Sequence, residues 1–575
     1  MSLLIIDLGG QYCHLIKRTF GDYHIAAEIR GPWVSIEQAK EYSGIILSGG
    51  PQSVNDTGSP SIDPAFLELG VPVLGICYGH QLLASMLGGT VCKTAPEYGP
   101  IKINFIDRHP LFTGLPTVMT VWMSHGDSVI RLSDHLKLNA ISFDCPVVAF
   151  SDRLRRIYGV QFHPEVAHTE YGSTILKNFA DLCGEKPHGS VNRIDEIIGH
   201  IQQFVGDRKV LFFVSGGVDS TVAFALCAKA LPKEQLLGAY VDTGYMRKTD
   251  SHDLMDCFNR LGYDDRILQI DRSAEAMTLL KSIVDPEEKR RIIGRIFVDV
   301  QRDILQQHVA DDWLLGQGTI YPDVIESGPD GAATIKTHHN QCVEVQEMIQ
   351  QGRVIEPLRE LYKDQVRDIG HQLGIPRHFV EKWPFPGPGL AIRCLCSPTI
   401  GTLIPVLDED YECYRLSLRS VGVQGDARAY RTTLAAHGPL DKQALTDLSH
   451  RYQHERIILH LGGKRELSNA RVKRALMTRK RISMLREADY VVQNEMLGRE
   501  GLVWQFPVVL IPLSFAGGES IVLRPVGSRD GMTANFVIPP HEILDGIVSR
   551  ILEIRGIDAV FLDISDKPPA TIEWE

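Results

Sequence analysis

The sequence has no run of about 18 apolar residues, so it offers no stretch able to cross a bilayer as a helix. Its opening, MSLLIIDLGGQ, lacks a basic region and its apolar stretch breaks at Asp7, which argues against a secretory signal. The 11 cysteines among 575 residues are odd in number and form no Cys-x-x-Cys pair. A disulfide scaffold is therefore excluded, and a reduced protein of the cytosol is expected. Positive charge is also short: 60 Lys and Arg stand against 71 Asp and Glu, and the net charge of −11 speaks against an obligatory nucleic-acid partner. What is present excludes disorder, since 44% of the residues are hydrophobic and only 23% are charged. At roughly 100–200 residues per domain, the length allows about three to five domains.

Short apolar runs alternate with helical patterns from the start. Leu3–Asp7, Ile25–Ile29, Gly44–Leu47 and Val71–Gly75 read as buried strands, and His80–Leu87 and Thr174–Leu182 as helices. After a polar, Pro- and Gly-containing stretch at Gly184–Val191, which reads as a linker, the alternation restarts. Val210–Val214, Leu237–Val241, Ile267–Ile270 and Trp313–Leu315 are expected strands, and Thr221–Leu231 a helix. This second unit ends near Trp383–Leu390, where PFPGPG can continue neither helix nor central strand. Beyond it lies an internal repeat: RSVG at Arg419–Gly422 returns as RPVG at Arg524–Gly527, and RIILHL at Arg456–Leu461 lines up with AVFLDI at Ala559–Ile564. The expected fold class is α/β, with two successive doubly wound, mainly parallel-sheet domains followed by duplicated α+β subdomains.

Gly75-Ile-Cys77-Tyr78-Gly79-His80-Gln81 lies where a strand meets a helix. Such a turn presents its thiol at a helix N-terminus, where the dipole favours negative charge. The backbone N–H of Tyr78 and those of the loop Ser48-Gly49-Gly50-Pro51 are candidates for an oxyanion hole, with Gln81 beside them. A base is available in Gly159-Val-Gln-Phe-His163-Pro-Glu165: residues i and i+2 of an extended segment share a side, so Glu165 can orient His163 while His163 takes the thiol proton. His80 is a rival base by sequence proximity. A buried structural cysteine is the bland alternative for Cys77. Cys77, His163 and Glu165, with the GICYG and FHPEV strings, resemble the class I glutamine amidotransferases over residues 1–183. The resemblance implies glutamine hydrolysis through a thioester, with Ser124–Asp127 (SHGD) as a glutamine-contacting loop.

Ser215-Gly216-Gly217-Val218-Asp219-Ser220 follows a strand and opens a helix, an arrangement whose backbone N–H groups cradle anions. There is no Walker A pattern. The loop resembles that of the N-type ATP pyrophosphatases over residues 192–394, which implies ATP as co-substrate and Asp219 as a Mg²⁺ ligand; no redox cofactor is expected. Further strings, PEEKRRIIG at Pro286–Gly294, GQGTIYPDVIES at Gly316–Ser327, IKTHHN at Ile335–Asn340, PFPGPGLAIR at Pro384–Arg393, VGVQGD at Val421–Asp426 and KPPATIEWE at Lys567–Glu575, resemble the GMP synthetase family along essentially the whole chain.

That resemblance implies the substrates XMP, ATP and glutamine, ATP contacts at Val241 and Lys336 besides the loop, and XMP contacts at Arg290, Asp426, Gln505, Lys567 and Glu573. Thr243 and Tyr321 stand where many relatives have Asn and Arg. The chain resembles the longer form of the family, with two C-terminal dimerisation-type subdomains at 395–480 and 481–575; an internal pseudo-dimer and hence a monomer is expected. Between the repeats, Lys464–Arg486 holds nine Lys and Arg and reads as a solvated helix face, with nucleic-acid contact or attraction of nucleotides as alternatives. Competing functions are an amidotransferase acting on another carbonyl, a regulatory protein with a lost site, and an RNA-thiolating pyrophosphatase.

Overall fold

A strand that is apolar at every position is stable only when both of its faces are covered. The computed structural model describes residues 2–10, 12–107, 109–166, 168–186, 193–308, 313–321, 323, 343–424, 427–452, 455–464, 466–528, 534–567 and 570–575. In it the strand Leu3–Ile6 is fully buried. Leu3 and Ile5 enter one apolar layer, and Leu4 and Ile6 the opposite one. The chain divides into two units, Met1–Arg193 and Ile194–Glu575.

In the first unit, five parallel strands run in the order Ala27–Arg30, Leu3–Ile6, Gly44–Leu47, Val73–Ile76 and Ile157–Val160. The sheet then continues through four antiparallel strands that the run-by-run reading did not find: Ala149–Asp152, Lys137–Ile141, Thr90–Phe105 and Val118–Arg131. Along Val118–Arg131 buried residues alternate with partly exposed ones, whereas Ala149–Asp152 is buried throughout.

The second unit opens on a five-stranded, wholly parallel sheet ordered Ile267–Asp271, Leu236–Asp242, Val210–Phe213, Leu314–Gly316, Val354–Ile355. Val210 and Phe212 face one apolar layer and Leu211 the other. Parallel pairing sends the ends of Val210–Phe213 and Leu236–Asp242 to the same edge, the place where open α/β sheets hold ligands.

The repeat region forms a single seven-stranded sheet: Ile404–Val406, Glu412–Gln424, Ala427–His437, Arg456–Gly463, Ile557–Asp563, Glu519–Leu523, Val508–Ile511. Beyond the edge strand Ile404–Val406, each half contributes two antiparallel strands, a helix (Lys442–Arg451 or His541–Leu552) and a last strand parallel to the one before it. The last strands of the halves meet antiparallel, with Ile458 opposite Asp563, Leu459 opposite Leu562 and His460 opposite Phe561. Replacing each residue by its counterpart about 103 positions away returns the same pairs, the register of a local two-fold axis.

Candidate active sites

Cys77 stands between the strand Val73–Ile76 and the helix Tyr78–Met86 with φ 51° and ψ −103°. A side chain rarely accepts that backbone, and the surrounding packing enforces it. A Cβ on Gly79 would fall 2.5 Å from the carbonyl oxygen of Leu47, so only glycine lets the helix start this close to the neighbouring strand. The first N–H groups of that helix, Tyr78 included, have no partner within the helix. The 48–51 loop lies over the same turn: a Cβ on Gly49 would come 3.0 Å from His163 Cε1 and 3.7 Å from Cys77 Cβ, and one on Gly50 would meet Tyr78.

His163 is 5% exposed and its Nδ1 lies 2.7 Å from Glu165 Oε1, itself buried. Burial opposes a charge on the ring, but Glu165 and the Cys77 sulfur, both within reach of it, outweigh that and lift its proton affinity well above the ordinary histidine value. The His163 backbone is pinned by its N–H to the Trp122 carbonyl at 3.1 Å and by Thr169 Oγ1 on its own carbonyl at 2.6 Å. His80 is different. It is wholly buried against Phe150, with ring centroids 4.9 Å apart, and burial pushes its pKa down to about 3, so the ring is neutral and in the core. Gln81 uses its side-chain amide within the protein, donating to the Asp127 carbonyl at 2.7 Å and to Gln161 Oε1 at 3.2 Å. Gln161 in turn approaches the Cys77 sulfur at 3.8 Å, and the thiol faces the Ser124 carbonyl at 3.7 Å. The SHGD loop and Gln161 thus border the thiol, a proximity that sequence spacing does not reveal.

In the second unit, Gly217 caps the helix Val218–Ala230 directly after the strand Val210–Phe213. The loop is held by its own serines: Ser215 Oγ and Ser220 Oγ are 3.0 Å apart, and Ser220 Oγ accepts the Ser215 N–H at 3.2 Å. Val218 is buried in the apolar layer beneath. Asp219 faces Lys363, the first residue of the helix Lys363–Gln372, at 2.6 Å from its Oδ1. Sequence reading missed Lys363, which lies 144 residues away in a segment with no glycine-rich signature. Val241 lies on the adjacent strand, paired with Ile270, with its side chain in the apolar layer of Val300 and Ile304. Asp242 closes the Asp-Thr-Gly turn by accepting the Gly244 N–H at 2.7 Å. Lys336 lies outside the described residues.

Of the residues that the resemblance implies for XMP, Asp426 also lies outside the described residues. Arg290, on the helix Pro286–His308, donates to the Glu575 carbonyl and electrostatically stabilises the Glu573 carboxylate. Glu573 is held by Arg393 through two bonds, 3.0 Å and 2.6 Å, a partner unseen in the sequence. Burial works against this carboxylate's charge, yet Arg393 keeps its pKa below the ordinary value. Gln505 and Lys567 belong to one small patch of backbone pairing, Gln505 with Val526, Gly527 with Asn535, and Ala534 with Lys567. The basic run is not wholly solvated: Arg481 is buried on Glu519, at 2.7 Å, and Arg486 donates to the carbonyls of Gly244, at 2.8 Å, and Met246, at 2.9 Å.

No helix among the described residues is long and apolar enough to cross a membrane. Residues 4–182 match the family described as glutamine amidotransferase class-I, residues 190–292 that described as NAD synthase, and residues 498–574 that described as GMP synthase C terminal domain. A protein of Leptospira interrogans named as a probable glutamine-hydrolysing GMP synthase is 40% identical, covering 100% of this chain and 99% of its own. Glutamine-hydrolysing GMP synthases of Clostridium perfringens and Caldicellulosiruptor saccharolyticus are 37% and 36% identical, each over 100% of this chain and 99% of their own.

Proposed function

The chain belongs to the family of glutamine-hydrolysing GMP synthases, and from that premise we propose how its residues divide the synthesis of GMP from XMP, ATP and glutamine. In the first unit, Cys77 attacks the glutamine carboxamide, and His163 takes the thiol proton and passes it to the leaving ammonia. Glu165 holds the imidazole in the tautomer that this transfer needs. The N–H groups of Tyr78 and the Gly49-Gly50 loop receive the developing oxyanion. Water then attacks the thioester carbonyl and releases glutamate. Gln81 serves as a positioning residue for the glutamine loop.

In the second unit, the 215–220 loop binds the β,γ-phosphates of ATP while the 2-oxo oxygen of XMP attacks the α-phosphorus and displaces pyrophosphate. Ammonia then replaces AMP at that carbon. The oxygen-only donor set of Asp219 and the loop serines suits Mg²⁺, which when bound would neutralise phosphate charge. Lys363 sits where it can exchange Asp219 for a phosphate oxygen. Val241 contributes its backbone to the ATP site and Lys336 a further phosphate contact, and Arg290, Asp426, Gln505, Lys567 and Glu573 form the XMP site.

The domains of this reading are 1–183, 192–394, 395–480 and 481–575, the last two acting as an internal substitute for a dimer. The two-fold register of the repeat strands supports a monomer near 64.1 kDa, working in the cytosol. Light scattering that gives twice this mass at dilute concentration would refute the monomer.

The observation that carries the whole reading is the coexistence of a cysteine elbow backed by His163–Glu165 and a phosphate loop backed by Asp219–Lys363. The test is GMP formation from XMP, ATP and either glutamine or ammonium. Cys77→Ala is expected to abolish the glutamine-driven reaction and retain the ammonium-driven one. Equal loss of both would overturn the division of labour.

A further inference from the structure

Glu97, His125 and Cys145 meet inside the first unit although 48 residues separate the first from the last. Glu97 and His125 are directly opposite each other on the strands Thr90–Phe105 and Val118–Arg131. Cys145 enters from the turn that follows Lys137–Ile141. The three residues are 5%, 5% and 0% exposed, and one ligand atom from each lies within 4.8 Å of the others.

His125 Nδ1 is 3.0 Å from the Asp127 carbonyl, which can only accept, and 3.4 Å from Ser128 Oγ, which can do either; the shorter contact assigns the proton to Nδ1. In the neutral ring the Nε2 lone pair then points at Glu97 Oε2, 3.1 Å away. Two buried lone pairs at that distance need a cation between them. A shared proton is the minimal solution, but it leaves the adjacent sulfur without a function. The outer contacts also resemble those that orient metal ligands: a backbone carbonyl on the far nitrogen of His125, and Ser142 Oγ donating to Glu97 Oε1 at 3.2 Å.

We propose that Glu97, His125 and Cys145 form a binding site for a zinc-class divalent cation, with three protein ligands and a fourth position for water. The mixed nitrogen, sulfur and oxygen set favours Zn²⁺ or Co²⁺ over the hard cations Mg²⁺ and Ca²⁺. On binding, the Cys145 thiol releases its proton, now directed at the Val147 carbonyl at 3.5 Å, and the Glu97–His125 pair releases the proton it shares; both go to solvent. The cation receives the three lone pairs and ties together the two long strands. Ser124–Asp127 lies within the second of these strands and includes His125, and its Ser124 and Asp127 carbonyls meet the Cys77 sulfur and Gln81, so occupancy of the site acts on the segment beside the thiol.

The experiment uses the full chain carrying Cys77→Ala, which removes the thiol next to the site. The protein is stripped with a chelator and titrated with Co²⁺. One Co²⁺ per chain with a thiolate-to-cobalt charge-transfer band, displaced by Zn²⁺, is expected. Adding Cys145→Ser should remove the band, and adding His125→Asn or Glu97→Gln should weaken Co²⁺ binding at least about tenfold. Zn²⁺ should raise the melting temperature of the Cys77→Ala chain but not of the Cys77→Ala, Cys145→Ser chain. Absence of the band in the Cys77→Ala chain, or its survival after Cys145→Ser, would overturn the proposal. Circular dichroism confirms that each variant compared is folded.

Discussion

Lys363 Nζ lies 2.6 Å from one carboxylate oxygen of Asp219 and 2.5 Å from the other, joining the start of one helix to the first turn of another across 144 residues. Both groups are only partly buried, so the pair itself contributes little stability. Its location at the phosphate loop gives it a different use. An ammonium parked on a carboxylate is ready to transfer to an arriving phosphate. Lys363→Ala is expected to lower XMP-dependent pyrophosphate release by about 10²–10³-fold, the effect of removing one preorganised charge donor. Alkylation of Cys77 should proceed at the wild-type rate. Pyrophosphate release within a few-fold of wild type would remove Lys363 from the phosphate site.

The pairing of His163 with Glu165 makes a second expectation, with a defined dependence on pH. Burial alone would lower the ring's proton affinity, and Glu165 together with the Cys77 sulfur raises it above the usual 6.5. The folded chain therefore keeps this proton where the unfolded chain loses it. The resulting stabilisation is full below about pH 6.5 and is lost as pH rises through the higher folded value. Glu165→Gln should move the NMR titration midpoint of His163 downward. It should also cut glutaminase turnover by about 10²–10⁴-fold, as expected when the orienting carboxylate of a triad is replaced by an amide. Ammonium-driven synthesis should not change. An unmoved His163 titration would show that Glu165 does not set the ring's charge.

These two pairs also mark what a sequence can disclose. His163 and Glu165 are two residues apart on extended chain, so their shared side follows from backbone periodicity, and Cys77 is marked by glycines on both sides. Most of the parallel strands were visible because burial on two faces requires uninterrupted apolar runs, whereas the two-residue strand Val354–Ile355 is too short to make one. Lys363 and Arg393 carry no such mark: each finds its carboxylate, Asp219 or Glu573, only through the tertiary fold. The antiparallel strand Val118–Arg131 was missed because its span holds the polar residues Ser124–Asp127, which read as a site loop and break the apolar pattern. The basic run read as a solvated face because the partners of Arg481 and Arg486, Glu519 and the Gly244 carbonyl, are likewise met only through the tertiary fold.

Asp563 is the anchor of the repeat sheet. It lies between Arg456 and Arg524, each at 2.8 Å, and accepts Trp574 Nε1 at 2.8 Å, with all three charged side chains almost wholly buried. Burial raises the cost of its charge, and the two guanidinium groups reverse this and depress its pKa. Its stabilisation is therefore present above the ordinary carboxylate range, near 3.8, and is lost as pH falls through the lower folded value. Asp563→Asn leaves two buried cations uncompensated and should destabilise the second unit by about 3–5 kcal/mol. Denaturant unfolding followed by Trp fluorescence measures this. A change under about 1 kcal/mol would mean that solvent reaches the cluster.

His80 separates proximity in sequence from participation in chemistry. Its side chain is fully buried and its pKa is pushed down to about 3, so the native ring refuses a proton that the unfolded ring accepts below about pH 6.5. The stability this contributes is complete above pH 6.5 and falls as pH drops toward 3, by at most about 1.4 kcal/mol per pH unit. Replacing it with methionine, which is unbranched and adaptable in a core, removes the titration without opening a large void. His80→Met should therefore flatten the decline of the thermal midpoint between pH 6.5 and 4. Glutaminase activity should remain at the wild-type order of magnitude. His163→Ala should instead abolish glutaminase activity. If His80→Met lost activity as completely as His163→Ala, the thiol's base would have to be reassigned to His80.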